Sequence, residues 1–299
     1  MQTTPIRGAG VALVTPFDYN GNVDYPALKR VTEFTISKGI DFLVALGTTA
    51  ETPTLDKDEK LEIVRVILET NNGRKPVVLG IGGNDTRAVV KQIGEQSFKG
   101  IDYLLNVAPY YNKPNQSGLY KHFEAIADCS PVPVILYNVP GRTGSNISAD
   151  TTLRLARDKK NIIATKEASG NFDQIMAILR DRPKGFAVLS GDDALTLPTL
   201  SLGAEGVISV VANACPDRMS QMISAMEERN IGEAQKLHYE MLELIQLIFA
   251  EGSPAGIKAA LHHMGICDEN VRLPLTPVSE ALSIRIRDYL KTNLSGHSL

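Results

Sequence analysis

NIIATKEASG, residues 161–170, sets an apolar β-branched run directly before a lysine and closes on a glycine turn. Ile and Val bounded by turn residues form a buried parallel strand. Lys166 therefore stands at a strand end, where water is scarce and the charged ammonium is disfavoured. A neutral amine at pH 7 attacks carbonyl carbons, and lysine is the side chain whose protonation shifts most readily on burial. The competing role for a lone strand-end lysine is to turn into solvent or to pair with Glu167. The rest of the chain decides between the two.

Outward from this strand, seven more apolar runs alternate with amphipathic helical segments. The full set is GVALVTPF, DFLVALG, PVVLGIG, IDYLLNV, PVILYNV, NIIATKE, FAVLSG and EGVISVV, beginning near residues 10, 41, 76, 101, 133, 161, 186 and 205. Helical patterns such as DKDEKLEIVRVILET and TTLRLARD follow the runs. Eight βα units in about 200 residues predict an α/β fold, a (β/α)8 TIM barrel. A doubly wound sheet would need a glycine-rich phosphate turn after its first strand, and GAG at 8–10 precedes that strand instead. From Gly232 the pattern is helical, in segments reaching Ala250, following Pro254 and starting at Val278. The expected organisation is a barrel over 1–231 and a C-terminal helical appendage over 232–299, packed on the barrel without a low-complexity linker.

Composition narrows the function classes. The chain has 299 residues, 43% hydrophobic and 22% charged, with a net charge of −3. That length supports a large core. Without a basic stripe or a run of like charge, nucleic acid and membrane surfaces are poor partners and a small polar ligand is favoured. The opening MQTTPIRGAG lacks the charged and apolar regions of a leader, and no apolar run is long enough to span a bilayer, which predicts a cytoplasmic protein. Cys129, Cys215 and Cys267 are odd in number and widely spaced, so they are expected to be buried thiols and not a disulfide framework or zinc site. His122, His238, His262, His263 and His297 fall on predicted helices or the tail, which argues against a metal-dependent hydrolase.

In a barrel of this kind chemistry gathers at the carboxyl ends of the strands. Strand two ends in GTTAET (47–52), where Thr48 and Thr49 adjoin a glycine that admits a ligand to the backbone; the plainer role for these threonines is capping the next helix. Strand four ends in APYYNKP (108–114), with Tyr110 and Tyr111 on a proline-bounded loop, where packing is the ordinary use of aromatic rings. Strand five ends in YNVPGRTG (137–144), giving Tyr137 and then Arg142, whose planar fork suits a carboxylate. Strand seven ends in SGDDA (190–194), where Gly191 permits close approach and Asp192 or Asp193 caps a helix. Strand eight, GVISVVAN, is an apolar wall without a cationic phosphate cradle.

GTTAET, PYYNKP, YNVPGRTG, TKEASG, SGDDA and GVISV, in this order and spacing, resemble the pyruvate-dependent Schiff-base lyase family that includes N-acetylneuraminate lyase. The likeness covers essentially the whole chain, through RLPLTPVSE at 272–280. Within that family the motifs are most similar to the branch that condenses pyruvate with L-aspartate 4-semialdehyde in lysine and diaminopimelate biosynthesis. The resemblance implies a homotetramer, a dimer of dimers, that works without an organic cofactor. It implies that Lys166 forms the imine with pyruvate beneath Tyr137 as the proton-transferring phenol. Thr48 and Tyr111 would complete a relay with Tyr137, Tyr111 reaching in from a neighbouring subunit. Thr49 would hold the pyruvate carboxylate, Arg142 would guide the carboxylate of the semialdehyde, and Gly191 and Ile208 would line the pocket. General acid–base help from such a relay is worth about 100- to 10,000-fold in rate. One departure is that the family's usual GTTGES is GTTAET here. Alanine tolerates positive φ poorly, so Ala50 predicts a slightly different strand-two loop. The alternatives are an aldolase acting on sugar acids, against which Arg142 speaks, and a non-catalytic keto-acid-binding barrel, which has no use for a proton relay.

The resemblance also bears on regulation. Family members inhibited by free lysine bind it at a dimer interface, in a region that resembles Thr52, Pro53, Lys57, Lys60, Asn84, Ala88 and Tyr110 here. Ala88 stands where those members carry the acidic residue that receives the ligand's ammonium, and Lys57 and Lys60 add like charge. Asp58, Glu59 and Asp85 are the carboxylates that could substitute. An ammonium without its partner loses about 2 to 5 kcal/mol. L-lysine is therefore expected to inhibit weakly or not at all in a coupled assay of the condensation, and half-inhibition at micromolar to low millimolar lysine would overturn this expectation.

Overall fold

Eight parallel strands, neighbours in space as in sequence, close a barrel in the computed structural model, which describes residues 6–293. The strands are β1 (Gly8–Ala12), β2 (Phe42–Ala45), β3 (Val77–Gly80), β4 (Tyr103–Val107), β5 (Val134–Asn138), β6 (Ile162–Glu167), β7 (Ala187–Ser190) and β8 (Gly206–Ser209). Seven of them lie within their apolar runs; β1 starts two residues before its run, so the GAG at 8–10 lies inside the first strand and does not precede it, and no glycine-rich turn follows that strand. Nearly every strand residue is buried, which is why the runs read as continuous Val, Ile and Leu and not as an alternation. The helices are α1 (Tyr25–Ser37), α2 (Lys57–Asn71), α3 (Thr86–Glu95), α4 (Gln116–Cys129), the single turn α5 (Pro140–Thr143), α6 (Ala149–Asp158), α7 (Phe172–Asp181), α8 (Thr196–Ser201), α9 (Pro216–Glu227), α10 (Ile231–Phe249), α11 (Ala255–His263) and α12 (Glu280–Asn293). Short polar side chains start many of them. Asp24, Asp85, Asn115, Ser148, Asn171 and Asn230 each accept a first-turn N–H, and Asp56 with Glu59 forms a reciprocal capping box on α2.

Two compact units make up the chain. The first contains residues 6–8 with Pro76–Ile208, and so holds β3 to β7 and the helices between them. Its strands pair in parallel from β3 through β8. The second contains Ala9–Lys75 with residues 209–293. Here β1 pairs with β2, and Asn213 joins the chain beyond β8 to β1, accepting from Val14 N at 3.2 Å and donating to Ala12 O at 2.8 Å.

The C-terminal helices belong to this second unit, and a buried ion pair ties them to the turn after β2. Glu51, only 3% exposed, receives the ammonium of Lys258 on α11, which is 0% exposed. Lys258 also donates to Asn270 O at 2.8 Å, and Arg272 N donates to the second oxygen of Glu51 at 3.0 Å. The Lys258 ammonium lies 4.1 Å from the Phe17 ring centre and the Arg272 guanidinium 4.4 Å. Arg272 also forms a bidentate pair with Glu59. Burial pulls Lys258 below the ordinary lysine range, and Glu51 opposes that pull. Gly256 lets α11 approach α10, since a Cβ there would stand 2.2 Å from Ile248 O.

Two expectations need correction here. The C-terminal stretch is not helical throughout: 264–279 contains no helix, because Pro274 and Pro277 withhold backbone donors and Arg272 uses its own N–H on Glu51. Cys215 and Cys267 are buried free thiols, whereas Cys129, at the end of α4, is only half-buried. His297 and residues 1–5 lie outside the described residues.

Removing one partner of a buried pair strands the other charge and costs about 3 to 5 kcal/mol. Lys258→Met should lower unfolding free energy in urea by that order. Glu51→Gln combined with Lys258→Met should lose clearly less, because no charge is left buried alone.

Candidate active site

Register and pleat together build the centre of the site. β5 and β6 align Tyr137 with Lys166 and Asn138 with Glu167. Residues paired in a parallel sheet point to the same face, and successive residues point to opposite faces. Glu167 is bonded to Gln174 in the first turn of α7, so its face is the helix-covered one. Lys166 and Tyr137 consequently share the inner face, 5% and 6% exposed, with the amine 4.3 Å from the phenol ring centre. Lys166 forms no ion pair with Glu167, and it does not turn to solvent. β6 aligns Lys166 with Leu189, and β7 aligns Leu189 with Gly206. Two residues further along, Gly191 and Ile208 fall on the same inner face. A Cβ on Gly191 would stand 3.0 Å from Lys166 Cε and 2.7 Å from Ala168 Cβ, so glycine makes room for the lysine stem.

Arg142 lies on the exposed rim, on α5, which Gly144 terminates at φ 68°. Its guanidinium has no carboxylate partner among the described residues. Tyr111 is on the adjoining loop, its N–H donating to Thr143 O at 3.3 Å. Its side chain is 88% exposed at φ 74°, and Tyr110 is 42% exposed, so neither ring serves the packing role that loop aromatics usually take. The structure therefore brings together Lys166, Tyr137, Gly191 and Ile208, and joins the exposed turn bearing Arg142 to the Tyr111 loop by one backbone bond. No hydrogen bond joins Tyr111 to Tyr137 among the described residues.

Thr48 and Thr49 lie in the second unit, on the 3-10 turn Thr48–Ala50, with Thr48 exposed and Thr49 buried. They do not cap α2, whose cap is Asp56. The alanine of GTTAET adopts the ordinary helical backbone of that turn. Positive φ is taken instead by Leu46 and Glu51, both at 54°, so the departure at Ala50 introduces no strain. Thr52 anchors the loop by donating to Leu46 O and Gly47 O at 2.9 and 2.8 Å. Asp192 accepts from Ala194 N and Leu195 N, capping the turn that leads into α8. Of the carboxylates that could replace a ligand-binding acid at Ala88, Asp85 is committed to the α3 cap and Glu59 to Arg272.

Sequence reading missed the polar layer behind Lys166. Glu167 is buried and accepts from Asn138 Nδ2 at 3.1 and 3.2 Å, from Ser169 N at 2.9 Å and from Gln174 Nε2 at 3.1 Å. Burial pushes its carboxyl above the ordinary glutamate range, while these bonds pull it back. The available signal was adjacency: in Tyr137-Asn138 and Lys166-Glu167, an inward reactive side chain is followed at once by a polar one on a face that a helix must cover. The described histidines lie on helices: His122 and His238 are buried, whereas His262 is exposed beside Asp268 and His263 bonds to Ser283 Oγ. His122, bonded to Thr86 Oγ1, is pushed down to about 4 by burial. Among the described residues no cluster of three or more His, Cys, Asp or Glu could hold a metal ion.

Residues 5–293 match the model of the dihydrodipicolinate synthetase family. The 4-hydroxy-tetrahydrodipicolinate synthase of Azobacteroides pseudotrichonymphae is 49% identical over 290 residues, covering 97% of this chain and 98% of that protein. The protein of the same name from Phocaeicola vulgatus is 51% identical over 277 residues, covering 93% of each. The crystal structure of dihydrodipicolinate synthase from Aquifex aeolicus superposes with a TM-score of 0.92 at 41% identity, covering 96% of this chain and 98% of that one. A barrel of this strand order, an inward strand-end lysine under a phenol ring, and likeness over nearly the whole length agree, and the chain belongs to the dihydrodipicolinate synthetase family.

Proposed function

We propose that the chain condenses pyruvate with L-aspartate 4-semialdehyde to give 4-hydroxy-tetrahydrodipicolinate, in lysine and diaminopimelate biosynthesis. The observation that carries this reading is the buried amine of Lys166 against the Tyr137 ring, at the strand end where barrel chemistry occurs. The names of the relatives support it.

In this reading Lys166 Nζ adds to the pyruvate carbonyl carbon, and loss of water leaves a protonated imine. The imine draws electrons from the methyl group, which gives up a proton to become an enamine. The enamine carbon attacks the aldehyde, whose oxygen takes a proton and becomes the ring hydroxyl. The amino group of the second substrate then adds to the imine carbon and expels Lys166, closing the ring. Each proton movement needs a nearby relay group, and the Tyr137 phenol is assigned that role with Thr48 and Tyr111. Thr49 is assigned the pyruvate carboxylate, and Gly191 and Ile208 the pocket wall. Arg142, a rim cation without a carboxylate partner, is assigned the carboxylate of the semialdehyde.

The same reading makes the active form a homotetramer in which Tyr111 serves a neighbouring subunit's site. Support comes from the almost complete exposure of that ring in one chain, beside a half-exposed Tyr110. We place the enzyme in the cytoplasm; no described helix is long and apolar enough to cross a membrane.

Pyruvate with borohydride should add one reduced pyruvyl group per chain, mapped to Lys166. A chain that stays unlabelled, or labels equally as Lys166→Ala, would remove the imine mechanism. Arg142→Ala should lower kcat/KM for the semialdehyde by the about 1.5 to 3 kcal/mol of a lost charge-assisted bond, while trapping with pyruvate stays near normal. Unchanged semialdehyde kinetics, or better turnover of a sugar acid, would favour the sugar-acid aldolase.

A further inference from the structure

We propose that Asn138 and Glu167 are a positioning pair: from the helix-covered face of the sheet they hold Lys166 against Tyr137 and pass the same restraint to the turn that bears Arg142. The inference rests on Lys166 being the imine-forming residue.

The two side chains are the register partners immediately after Tyr137 and Lys166, so each bond between them fixes the relative advance of the two strand ends. Asn138 uses its whole amide. Nδ2 donates to both oxygens of Glu167 and to Asn146 Oδ1 at 2.8 Å, and Oδ1 accepts from Ile147 N at 2.9 Å. Asn146 and Ile147 follow the Arg142 turn directly, and Asn146 Nδ2 donates to Gln174 Oε1 at 2.9 Å. Gln174 Nε2 in turn donates to Glu167, closing a ring through β5, the α5–α6 connection, α7 and β6. Leu136 and Thr165, on the same face one pleat earlier, have no such link, so the ring sits only where the reacting side chains are. Register alone could be held by apolar packing at far less desolvation cost.

The chemistry of the pair makes it testable by near-isosteric exchange. Glu167 only accepts; Glu167→Gln must turn an NH2 group against Ser169 N–H or the Asn138 amide. Asn138→Asp sets two carboxylates face to face. Combining Asn138→Asp with Glu167→Gln restores one donor group facing one acceptor. The measurements are melting temperature, the rate of borohydride-trapped imine formation with pyruvate, and kcat and KM for both substrates. Each single variant should slow trapping by about ten- to a hundredfold, the effect of an ångström-scale misplacement, and the double variant should recover at least about tenfold over Asn138→Asp. Asn146→Ala, at an exposed position, cuts only the outer limb of the ring. It should raise KM for the semialdehyde about threefold or more while trapping stays near normal. Single variants that melt lower yet trap at the wild-type rate would make the ring merely structural and overturn the proposal. If the singles fail to fold, an unchanged semialdehyde KM in Asn146→Ala overturns it. An unlabelled wild-type chain would remove the imine reading itself; a labelled wild type with unaffected variants removes only the positioning pair.

Discussion

The alignment of β5 with β6 is the constraint on which the centre of this protein depends. Side chains on a strand alternate with a period of two, so a slip of one residue would carry Lys166 to the helix side and bring Glu167 inward. The observed register sets Tyr137 beside Lys166 on one face and Asn138 beside Glu167 on the other. A buried amine and the phenol next to it are thus one consequence of a backbone pairing, and the polar pair behind them is another.

Charge is buried in both units, once at the end of a strand and once in the turn that follows one. In the first unit it is Glu167, surrounded by neutral donors and pushed towards its protonated form by burial. In the second it is Glu51, neutralised by Lys258 and further bonded by Arg272 N. Buried charge is a poor source of net stability compared with apolar packing of similar volume. Its strength is directionality: a carboxylate with several converging donors is held to one position and orientation, as an apolar contact is not. Glu51 directly follows the Thr48–Ala50 turn, so the extended segment between α11 and α12 and the threonine turn share one buried anchor.

The rim has the opposite character. Tyr111 and Arg142 project from short connections held by backbone bonds, with little packing around their side chains. Groups of this kind are free to meet charge and aromatic surface brought by substrate or by a second subunit, whereas the inner face is already occupied by Tyr137, Lys166 and Ile208. Buried side chains held inside and accessible groups on loops is the division of labour expected of a barrel enzyme.

The order of eight apolar runs, their burial and the alternation with helices were determined by the sequence alone, because a strand covered on both faces must be apolar throughout and a helix on a barrel must carry an apolar stripe. The strand-end positions of Lys166, Tyr137, Gly191 and Ile208 were legible for a related reason: residues that end a barrel strand point to a known place. The tertiary structure alone decided what those residues touch. That Lys166 lies over Tyr137 and away from Glu167 depends on strand register, which no local propensity encodes. The Glu51–Lys258 pair spans more than two hundred residues, and the Asn138–Glu167–Gln174–Asn146 ring joins four segments; such contacts exist only once the chain has closed. Positive φ at Leu46 and Glu51, and not at Ala50, was equally hidden, because the path of the β2 turn follows bonds that exist only in the folded chain, from Thr52 to Leu46 O and Gly47 O and from Glu51 to Lys258 and Arg272 N.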